Sequence, residues 1–222
     1  MTDRVRRASG GQVVYAELKR RILSLELPPG RRLFEPELSQ QLQVSRTPLR
    51  EALRLLLAED LLEQLPTGGM VVRTLSADEI DELYTVRATL EGLMAAEAAE
   101  RMTEAAAESL RTLVTRNQRL VEFADDAMNA GHDFHLKIAE IAAHGWAARL
   151  HEQVDGQMAR YRAFTNHTQD RRTAALHEHE GILEALTAGD AARARELAEV
   201  HVLQARDTAL AAIGDRLPQS TR

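Results

Sequence analysis

Apolar residues recur at helical spacing along most of the chain, and the breaks in that pattern divide it into two parts. In the first part, the pattern predicts three short helices, and two extended segments around a Gly-rich turn predict a β-hairpin. Pro28-Pro29-Gly30 ends the first helix, and the short junction Val44-Ser45 forces the third helix to turn away from the second. The order helix, helix-turn-helix and hairpin indicates a winged helix-turn-helix domain over 12–75. The approximate bounds of these elements are 14–25, 35–43, 45–60, 61–65 and 70–73.

The third helix has a basic face and an apolar face. Arg46, Arg50 and Arg54 are spaced four residues apart and therefore share one face of the helix. An apolar back and an arginine front are typical of a recognition helix, in which Arg pairs with guanine or phosphate in the DNA major groove. The three arginines alone would also fit a solvated basic face, so the turn before them and the hairpin after them carry the assignment. The apolar face is formed by Leu49, Leu53 and Leu56.

The second part of the chain, 76–213, has a helical pattern throughout. Ser76 and Glu79 have the spacing of a capping box ahead of the first apolar repeat. Six antiparallel helices make a bundle, and bundles often hold ligands between facing helices. The predicted fold is therefore mostly α, with an N-terminal winged helix-turn-helix and a C-terminal antiparallel six-helix bundle. The predicted helices are 77–101, 104–122, 125–143, 146–165, 169–188 and 191–212, and the predicted tails are 1–11, which is basic, and 214–222.

Charge follows the same division of the chain. Residues 1–75 carry 12 Lys and Arg against 9 Asp and Glu, and the remainder carries 16 against 25. A basic N-terminal part joined to an acidic C-terminal part favours contact with nucleic acid at one end only. Cysteine is absent, which excludes disulfides and thiol catalysis and suits a reducing cytosol. No apolar run approaches the roughly 18 residues of a membrane span, so we expect a cytoplasmic protein without membrane contact.

Residues 12–75 resemble the DNA-binding domain of the GntR family of bacterial transcription regulators. The resemblance implies that Arg46, Thr47 and Arg50, with Ser45, contact the operator, and that the turn at Gly69 approaches the adjacent groove. The matching segments are Leu27-Pro28-Pro29-Gly30 with Leu33, Glu37-Leu38 with Leu42, Val44 to Leu53, and Gly69 with Val71.

Two positions depart from that family pattern. Asp60 stands where the family usually has Gly after the recognition helix, and Asp tolerates the left-handed conformation expected there. Gly68 stands where a basic wing residue is common, which removes one expected contact between the wing and DNA.

All eight histidines lie between His132 and His201. Neutral imidazole is the commonest protein ligand of transition metals. His135, His179 and His201 are on three different predicted helices among apolar neighbours, whereas the others have surface or helix-end positions. The residues alone leave two interpretations open, namely separate hydrogen-bonded structural histidines or converging metal ligands. The histidines expected at the surface or at helix ends are His132, His144, His151, His167 and His177.

Residues 79–212 resemble the FCD ligand-binding domain of the FadR-type branch of the GntR family, and the six-helix count is similar to its VanR-like subgroup. The resemblance implies that His135, His179 and His201 hold a divalent metal, with Zn²⁺ or Ni²⁺ favoured by nitrogen ligands. The family's fourth ligand is usually an Asp one turn before the first His, and this chain has Gly131 there. Water or an effector carboxylate could take that place. The matching segments include Val86-Arg87, Leu90-Glu91, Phe134-His135, Glu178-His179, Gly189-Asp190 and His201.

Arg87, on the first bundle helix, is the main candidate for an effector contact. Its spacing from Glu91 fits an i,i+4 ion pair, and the family resemblance implies a bidentate clamp for an effector carboxylate. Arg162, with Arg160, is a further candidate on the fourth bundle helix, and Glu91 is otherwise expected in packing or at a dimer interface. The aromatic residues expected in the core or at the cavity wall are Trp146 and Tyr161.

Three classes of function fit parts of this pattern: a ligand-responsive transcription regulator, a metal-dependent hydrolase or lyase, and a helical adaptor. An enzyme would need a placed base or nucleophile, and no HExxH, GxSxG or phosphate loop is present. An adaptor would not need three histidines inside a bundle. The sequence therefore predicts a regulator without enzyme activity, namely a repressor that binds a palindromic DNA operator as a homodimer and responds to a small carboxylate effector.

Overall fold

The structure, a computed structural model, describes residues 10–66, 68–161, 165 and 168–213, with only the backbone of Arg160 and Ile213. The chain divides into two compact units at the junction between Thr74 and Leu75. Arg162, His167 and the predicted tail 214–222 lie outside the described residues. The first helix begins at Gly10, so the last two residues of the predicted N-terminal tail belong to that helix.

The N-terminal unit contains three helices and a small antiparallel sheet. The sheet has the order β1-β3-β2, and β3 pairs with both neighbours, so that Val71 lies opposite Arg32 on one side and Glu63 on the other. The sequence pattern predicted the hairpin of β2 and β3 but not β1, since two residues are too few to show alternation. The elements are α1 (Gly10–Leu23), β1 (Arg32–Leu33), α2 (Glu35–Leu42), α3 (Arg46–Ala58), β2 (Leu62–Gln64) and β3 (Met70–Val72).

The core of this unit lies between α1 and α3. Leu18 and Ile22 of α1 and Leu49 and Leu56 of α3 are fully buried. Each such side chain contributes about 1.5–3 kcal/mol by leaving water, which fixes α3 on one face and leaves the opposite face exposed.

Backbone turns at both ends of α3 orient it. Gln43, which ends α2, has a left-handed conformation with φ of 53°, and Ser45 is the N-cap of α3 without a capping bond from its side chain. Asp60, just after α3, has φ of 54°, which confirms the predicted left-handed position. Gly68 and Gly69 have φ of 83° and 88°, so the turn between β2 and β3 needs the conformational freedom of glycine.

The C-terminal unit is helical, and its described residues contain six helices and one 3₁₀ turn. The predicted capping box is present, since the Ser76 hydroxyl accepts from the Glu79 amide at 3.2 Å and the Ser76 amide donates to Glu79 Oε2 at 2.9 Å. The mostly α fold is confirmed. The elements are α4 (Ala77–Glu100), α5 (Glu104–Leu120), α6 (Ala124–Ala142), α7 (Gly145–Met158), the 3₁₀ turn (Ala159–Tyr161), α8 (Gln169–Thr187) and α9 (Ala191–Ile213).

The two aromatic residues predicted in the core or cavity wall have different positions. Tyr161 is buried, and its hydroxyl accepts a 2.8 Å hydrogen bond from the amide of Leu75. Trp146 is 70% exposed, so the prediction for it was wrong. The guanidinium of Arg149 lies 4.1 Å from the centre of the Trp146 ring and covers part of it on the surface. Across the described helices, none has both the length and the apolar character needed to span a membrane.

Candidate DNA-reading helix and buried histidine site

The exposed face of α3 carries the residues predicted to contact DNA. Arg46, Thr47 and Arg50 are exposed, whereas Leu49 and Leu53 of the same helix are buried. Because the apolar face is fixed in the core, the basic face is held at the surface in a rigid helix, which is what reading a DNA groove requires.

Arg50 forms an ion pair that the sequence pattern did not reveal. Its Nε donates to Oε2 of Glu35 on α2 at 2.9 Å, and the Arg50 side chain is 58% exposed. An exposed pair of this kind stabilises a fold by only about 0–1 kcal/mol. The pair therefore orients the Arg50 side chain but uses only one of its five N–H donors, so the others can still bind another partner.

The turn predicted as the wing is held by backbone hydrogen bonds. The amide of Gly68 donates to the carbonyl of Leu65 at 2.9 Å, and the amide of Leu65 donates to the carbonyl of Gly69 at 3.1 Å. Both glycines are exposed. Because these glycines have no side chain, another molecule can approach the backbone of the turn closely. Thr67, which is next to Gly68, is outside the described residues.

Three helices of the C-terminal unit bring His135, His179 and His201 together. They lie on α6, α8 and α9 and are 8%, 3% and 6% exposed. Nε2 of His135 lies 3.2 Å from Nε2 of His179 and 3.1 Å from Nε2 of His201. The nitrogen atoms available for a metal all lie within 4.8 Å of one another. Of the two interpretations that the residues alone left open, the convergent cluster is the one the fold supports.

A polar partner lies behind each of the three imidazoles. Oε2 of Glu91 is 2.8 Å from Nδ1 of His135, and Oε2 of Glu178 is 2.6 Å from Nδ1 of His201. The side-chain nitrogen of Asn117 is 3.2 Å from Nδ1 of His179. A carboxylate at Nδ1 selects the tautomer with the proton on Nδ1, so Nε2 keeps its lone pair. In His135 and His201 two such lone pairs then face each other, an arrangement that a cation between them would stabilise.

The electrostatic surroundings favour the neutral form of His179 and His201. Burial lowers the pKa of His179, and the neighbouring His201 and His135 lower it further, so that it lies well below its ordinary value. Burial also lowers the pKa of His201, although the hydrogen bond to Glu178 opposes this effect. Neutral imidazole is the form that binds metal ions.

Glu91 is the centre of a buried charged network. Its Oε1 accepts from Nε of Arg87 at 2.6 Å and from Nε2 of His151 at 3.0 Å. Burial alone would raise the pKa of Glu91, but the charges of Arg87 and His135 hold it well below its ordinary value. The expected ion pair of Glu91 with Arg87 is therefore present, whereas the expectation of His151 at the surface or at a helix end was wrong. Glu91 and His151 are each 3% exposed. The spacing of His151 from Ala147 and Asp155, which are also buried, was the available signal.

A cavity opens beside the histidine cluster. Its described walls contain three arginines and four histidines and no acidic residue. Arg87 is one of the arginines, and the others are Arg171 and Arg172, which the sequence pattern did not single out. Arg171 makes two hydrogen bonds to Glu178, at 2.9 and 3.1 Å, and Nε of Arg172 donates to the carbonyl of Val121 at 2.7 Å. The cavity therefore has three arginines with fixed side chains at its walls, and two of them are paired with the carboxylates of Glu91 and Glu178 behind the walls.

Comparison with known families gives two matches along the chain. Residues 11–72 match the gntR family of bacterial regulatory proteins, and residues 82–204 match the FCD domain. The protein is a GntR-family regulator with an FCD domain.

Some similar proteins match most of this GntR regulator, and others match mainly one part of it. The uncharacterized HTH-type transcriptional regulator YdhC of Bacillus subtilis is 29% identical over 197 residues, which cover 85% of this chain and 84% of YdhC. The gluconate operon transcriptional repressor of Bacillus licheniformis is 42% identical over 85 residues, which cover 38% of this chain and 35% of the repressor. The solved structure of E. coli McbR/YncC has a TM-score of 0.74 at 25% identity, covering 89% of this chain and 95% of that one. The family and these relatives are transcription regulators, and this protein is not an enzyme.

Two of the three separations between the histidine donors of the GntR regulator fit a divalent transition metal. Nitrogen ligands about 2.0–2.1 Å from Zn²⁺ are separated by about 2.8–3.4 Å for bond angles between 90° and the tetrahedral value. The two Nε2 separations of 3.1 and 3.2 Å lie within that interval. The carboxylates at Nδ1 of His135 and His201 match the hydrogen bonds that metal-binding histidines usually make, whereas the Asn117 amide nitrogen at Nδ1 of His179 is a donor.

The remaining candidate residues of the regulator have varied environments. The i,i+4 ion pair of Arg87 with Glu91 is present, and Arg87 also lines the cavity. His132 lines the cavity as well, although we expected it at the surface or at a helix end. His144 is at a helix end as predicted, since it caps α7 by accepting from the Ala147 amide at 3.2 Å. Arg162 lies outside the described residues.

Proposed function

We propose that the protein is a cytoplasmic repressor that binds a palindromic operator as a homodimer and is released by a small carboxylate effector. The effector occupies the basic cavity of the C-terminal unit next to a divalent metal. The observation that carries the proposal is the cavity itself, whose described walls are cationic or neutral and which adjoins three converging imidazoles. Such walls attract anions and repel cations, except for a metal ion that the three histidines would hold.

Operator recognition is assigned to the exposed face of α3. Arg46, Thr47 and Arg50, with Ser45, meet the major groove, and Gly69 approaches the neighbouring groove. Arginine can contact guanine in two places at once, and each such contact contributes about 1–3 kcal/mol of discrimination. Two copies of this helix, related by a two-fold axis, would match two half-sites about one DNA turn apart, which supports the homodimer.

Repression is supported by a relative, the gluconate operon transcriptional repressor of Bacillus licheniformis. A repressor of this kind binds its operator without effector and dissociates when the effector binds. That behaviour requires only that the effector binds the DNA-free protein more tightly than the DNA-bound protein. No separate contact with polymerase is needed for that behaviour.

The metal is assigned to His135, His179 and His201, with Zn²⁺ or Ni²⁺ favoured by the nitrogen donors. A bound divalent ion would supply a strong positive centre for an anionic oxygen of the effector. Arg87 is the effector contact on α4. Its ion pair with Glu91 holds the guanidinium at the wall of the cavity.

The DNA-reading assignment is tested with operator fragments selected by the protein from random DNA. We expect Arg46→Ala and Arg50→Ala each to weaken operator binding about 5- to 150-fold in fluorescence anisotropy, which corresponds to about 1–3 kcal/mol. Arg54→Ala, on the same face one turn further along, is the matched control and should change the affinity less. Operator affinity equal to wild type in both test variants, with an unchanged circular dichroism spectrum, would refute the assignment.

Effector, metal and oligomeric state are tested on the same purified protein. Elemental analysis should find one transition-metal ion per chain, and native mass spectrometry should find twice the chain mass. A panel of small carboxylic acids should contain members that dissociate the operator complex of the metal-loaded protein, while the matching amides do not. An equal response to acids and amides would contradict a carboxylate effector.

A further inference from the structure

We propose that Arg31 and Arg32 bind phosphates of the DNA strand that separates the groove contacted by α3 from the groove contacted by the turn at Gly69. This inference rests on the proposed function, because it takes those two groove contacts as given. It assigns to Arg31 and Arg32 the anchoring of the protein on the DNA backbone, whereas Arg46 and Arg50 read the operator.

The segment that contains Arg31 and Arg32 is adjacent to the reading face of α3. It leads directly into α2, whose first residue is Glu35. Oε2 of Glu35 accepts a hydrogen bond from Nε of Arg50 at 2.9 Å. Arg32 is therefore three residues along the chain from a side chain that contacts the reading face.

The same segment is adjacent to the turn at Gly69. Arg32 of β1 lies opposite Val71 of β3. Gly69 precedes Val71 by two residues, which is about 7 Å along a strand. A Cβ atom at Gly69 would lie 3.9 Å from the carbonyl oxygen of Leu33. The segment therefore lies between the two parts of the N-terminal unit that are proposed to contact DNA.

In the proposed complex, the residues between these two contacts cross the phosphate backbone. The major groove and the neighbouring minor groove are separated by one sugar–phosphate strand. A domain that places a helix in one groove and a turn at the other must therefore pass over that strand. Cations at this position meet phosphate oxygens, which fix the register and orientation of a protein on the duplex without carrying sequence information directly.

Arg31 and Arg32 are available for phosphate contacts. Both are exposed, and within the described part of the chain the side chain of neither one forms an ion pair or a hydrogen bond. The surface cleft that they line also contains Glu26 and Glu37. Glu26 is bonded to Arg20 at 2.5 and 3.1 Å, so its charge is already balanced. The two arginines thus keep their positive charge for an external anion.

The turn itself supplies no positive charge. Its residues 65–70 contain neither Lys nor Arg. Backbone amides can donate to a phosphate, but they lack the full charge that releases condensed counterions. Arg73, after the end of β3, faces Asp60 at 4.0 Å and is thus partly neutralised. Arg31 and Arg32 are the cations that the fold places beside the turn without such a carboxylate.

Contacts of this kind have a measurable signature. Each neutralised phosphate contributes about −0.9 to the slope of log affinity against log salt. Two arginines would therefore make the slope steeper by about 1.8 for each bound chain. Because every DNA sequence carries the same phosphates, this contribution should be equal for the operator and for unrelated DNA.

The experiment measures binding of the full-length protein to two DNA duplexes of equal length by fluorescence anisotropy, between about 50 and 200 mM NaCl. One duplex contains the selected operator, and the other has an unrelated sequence. Wild type is compared with Arg31→Gln/Arg32→Gln and with Arg31→Lys/Arg32→Lys, which keeps both charges. The matched control is Arg193→Gln/Arg195→Gln, which removes two exposed charges from α9 of the C-terminal unit.

We expect the slope of the Gln variant to be less steep than that of wild type by about 1.8 for each bound chain, on both duplexes. Its loss of affinity should therefore be larger at low salt than at high salt. The Lys variant and the control should keep the wild-type slope within about 0.5. Circular dichroism verifies that all variants are folded, and native mass spectrometry counts the chains on each duplex.

A slope of the Gln variant equal to that of wild type, or a decrease no larger than in the control, would overturn the inference. A Lys variant that loses as much slope as the Gln variant would also overturn it, since charge would not be the cause. A loss confined to the operator would do the same, because these arginines would then read bases. The DNA-reading assignment fails separately, namely if Arg46→Ala and Arg50→Ala keep wild-type operator affinity.

Discussion

The buried carboxylate of Glu91 gives a quantitative prediction. Glu91→Gln keeps the size of the side chain and exchanges one oxygen for an amide nitrogen. That nitrogen cannot accept from Arg87, whose Nε now donates to Oε1 at 2.6 Å, and only one oxygen remains for Arg87 and the two histidines at 2.8 and 3.0 Å. The Arg87 side chain is 12% exposed and would lose its counter-charge.

The expected cost comes from that loss. Removing one partner of a buried ion pair costs about 3–5 kcal/mol, because the other charge stays buried without compensation. Gln retains one acceptor, and a hydrogen bond to a charged group contributes about 1.5–3 kcal/mol. We therefore expect Glu91→Gln to lower the free energy of unfolding of the C-terminal unit by about 3 kcal/mol, near the lower end of the first range.

The assay is urea unfolding followed by tryptophan fluorescence and far-UV circular dichroism. Trp146 is the single tryptophan of the chain and lies on α7, so its emission reports on the C-terminal unit. Glu140→Gln is the matched control, because Glu140 is an exposed partner of Lys137 at 2.9 Å and should contribute less than about 1 kcal/mol. A loss below about 1 kcal/mol in Glu91→Gln, or one equal to that of the control, would refute the reasoning.

Three further predictions concern other sites. Tyr161→Phe leaves the buried amide of Leu75 without its 2.8 Å acceptor and should cost about 1–3 kcal/mol in urea unfolding, whereas no measurable loss would show that the bond is dispensable. Asp60→Gly relieves a left-handed residue with φ of 54° and loses only a 4.0 Å contact with Arg73. The substitution should raise the free energy of unfolding by up to about 1 kcal/mol, and a lower free energy of unfolding would contradict this. His179→Ala removes one of three metal donors and should lower the zinc content measured by elemental analysis at least about tenfold, and unchanged zinc content would exclude the cluster as the metal site.

The sequence predicted most of the fold because its local signals agree with each other. The helix bounds in the C-terminal unit follow the capping box at Ser76 and the periodic apolar residues, and the structure begins α4 at Ala77. The two faces of α3 were visible as two sets of residues at helical spacing. The short strand β1 was missed because pairing with β3, and not any pattern of its own, defines it.

The candidate site was predictable only in part. The family resemblance pointed to three histidines, but the network around Glu91 depends on α4, α6 and α7 meeting, which no spacing along the chain encodes. His151 was placed at the surface because polar residues usually are. Trp146 was placed inside for the opposite reason. In both cases the neighbours in space, and not the residue type, decide burial.

The ion pair between Arg50 and Glu35 has a consequence for how operator binding depends on salt. DNA binding proteins that neutralise phosphates release condensed counterions, so log affinity falls with log salt in proportion to the number of phosphates neutralised. Arg50 is already paired with an internal carboxylate before it meets DNA. If it moves to a phosphate, Glu35 is left as a new negative charge that collects a cation from solution. The slope of log affinity against log salt would then indicate fewer phosphate contacts than a structure of the complex with DNA would show.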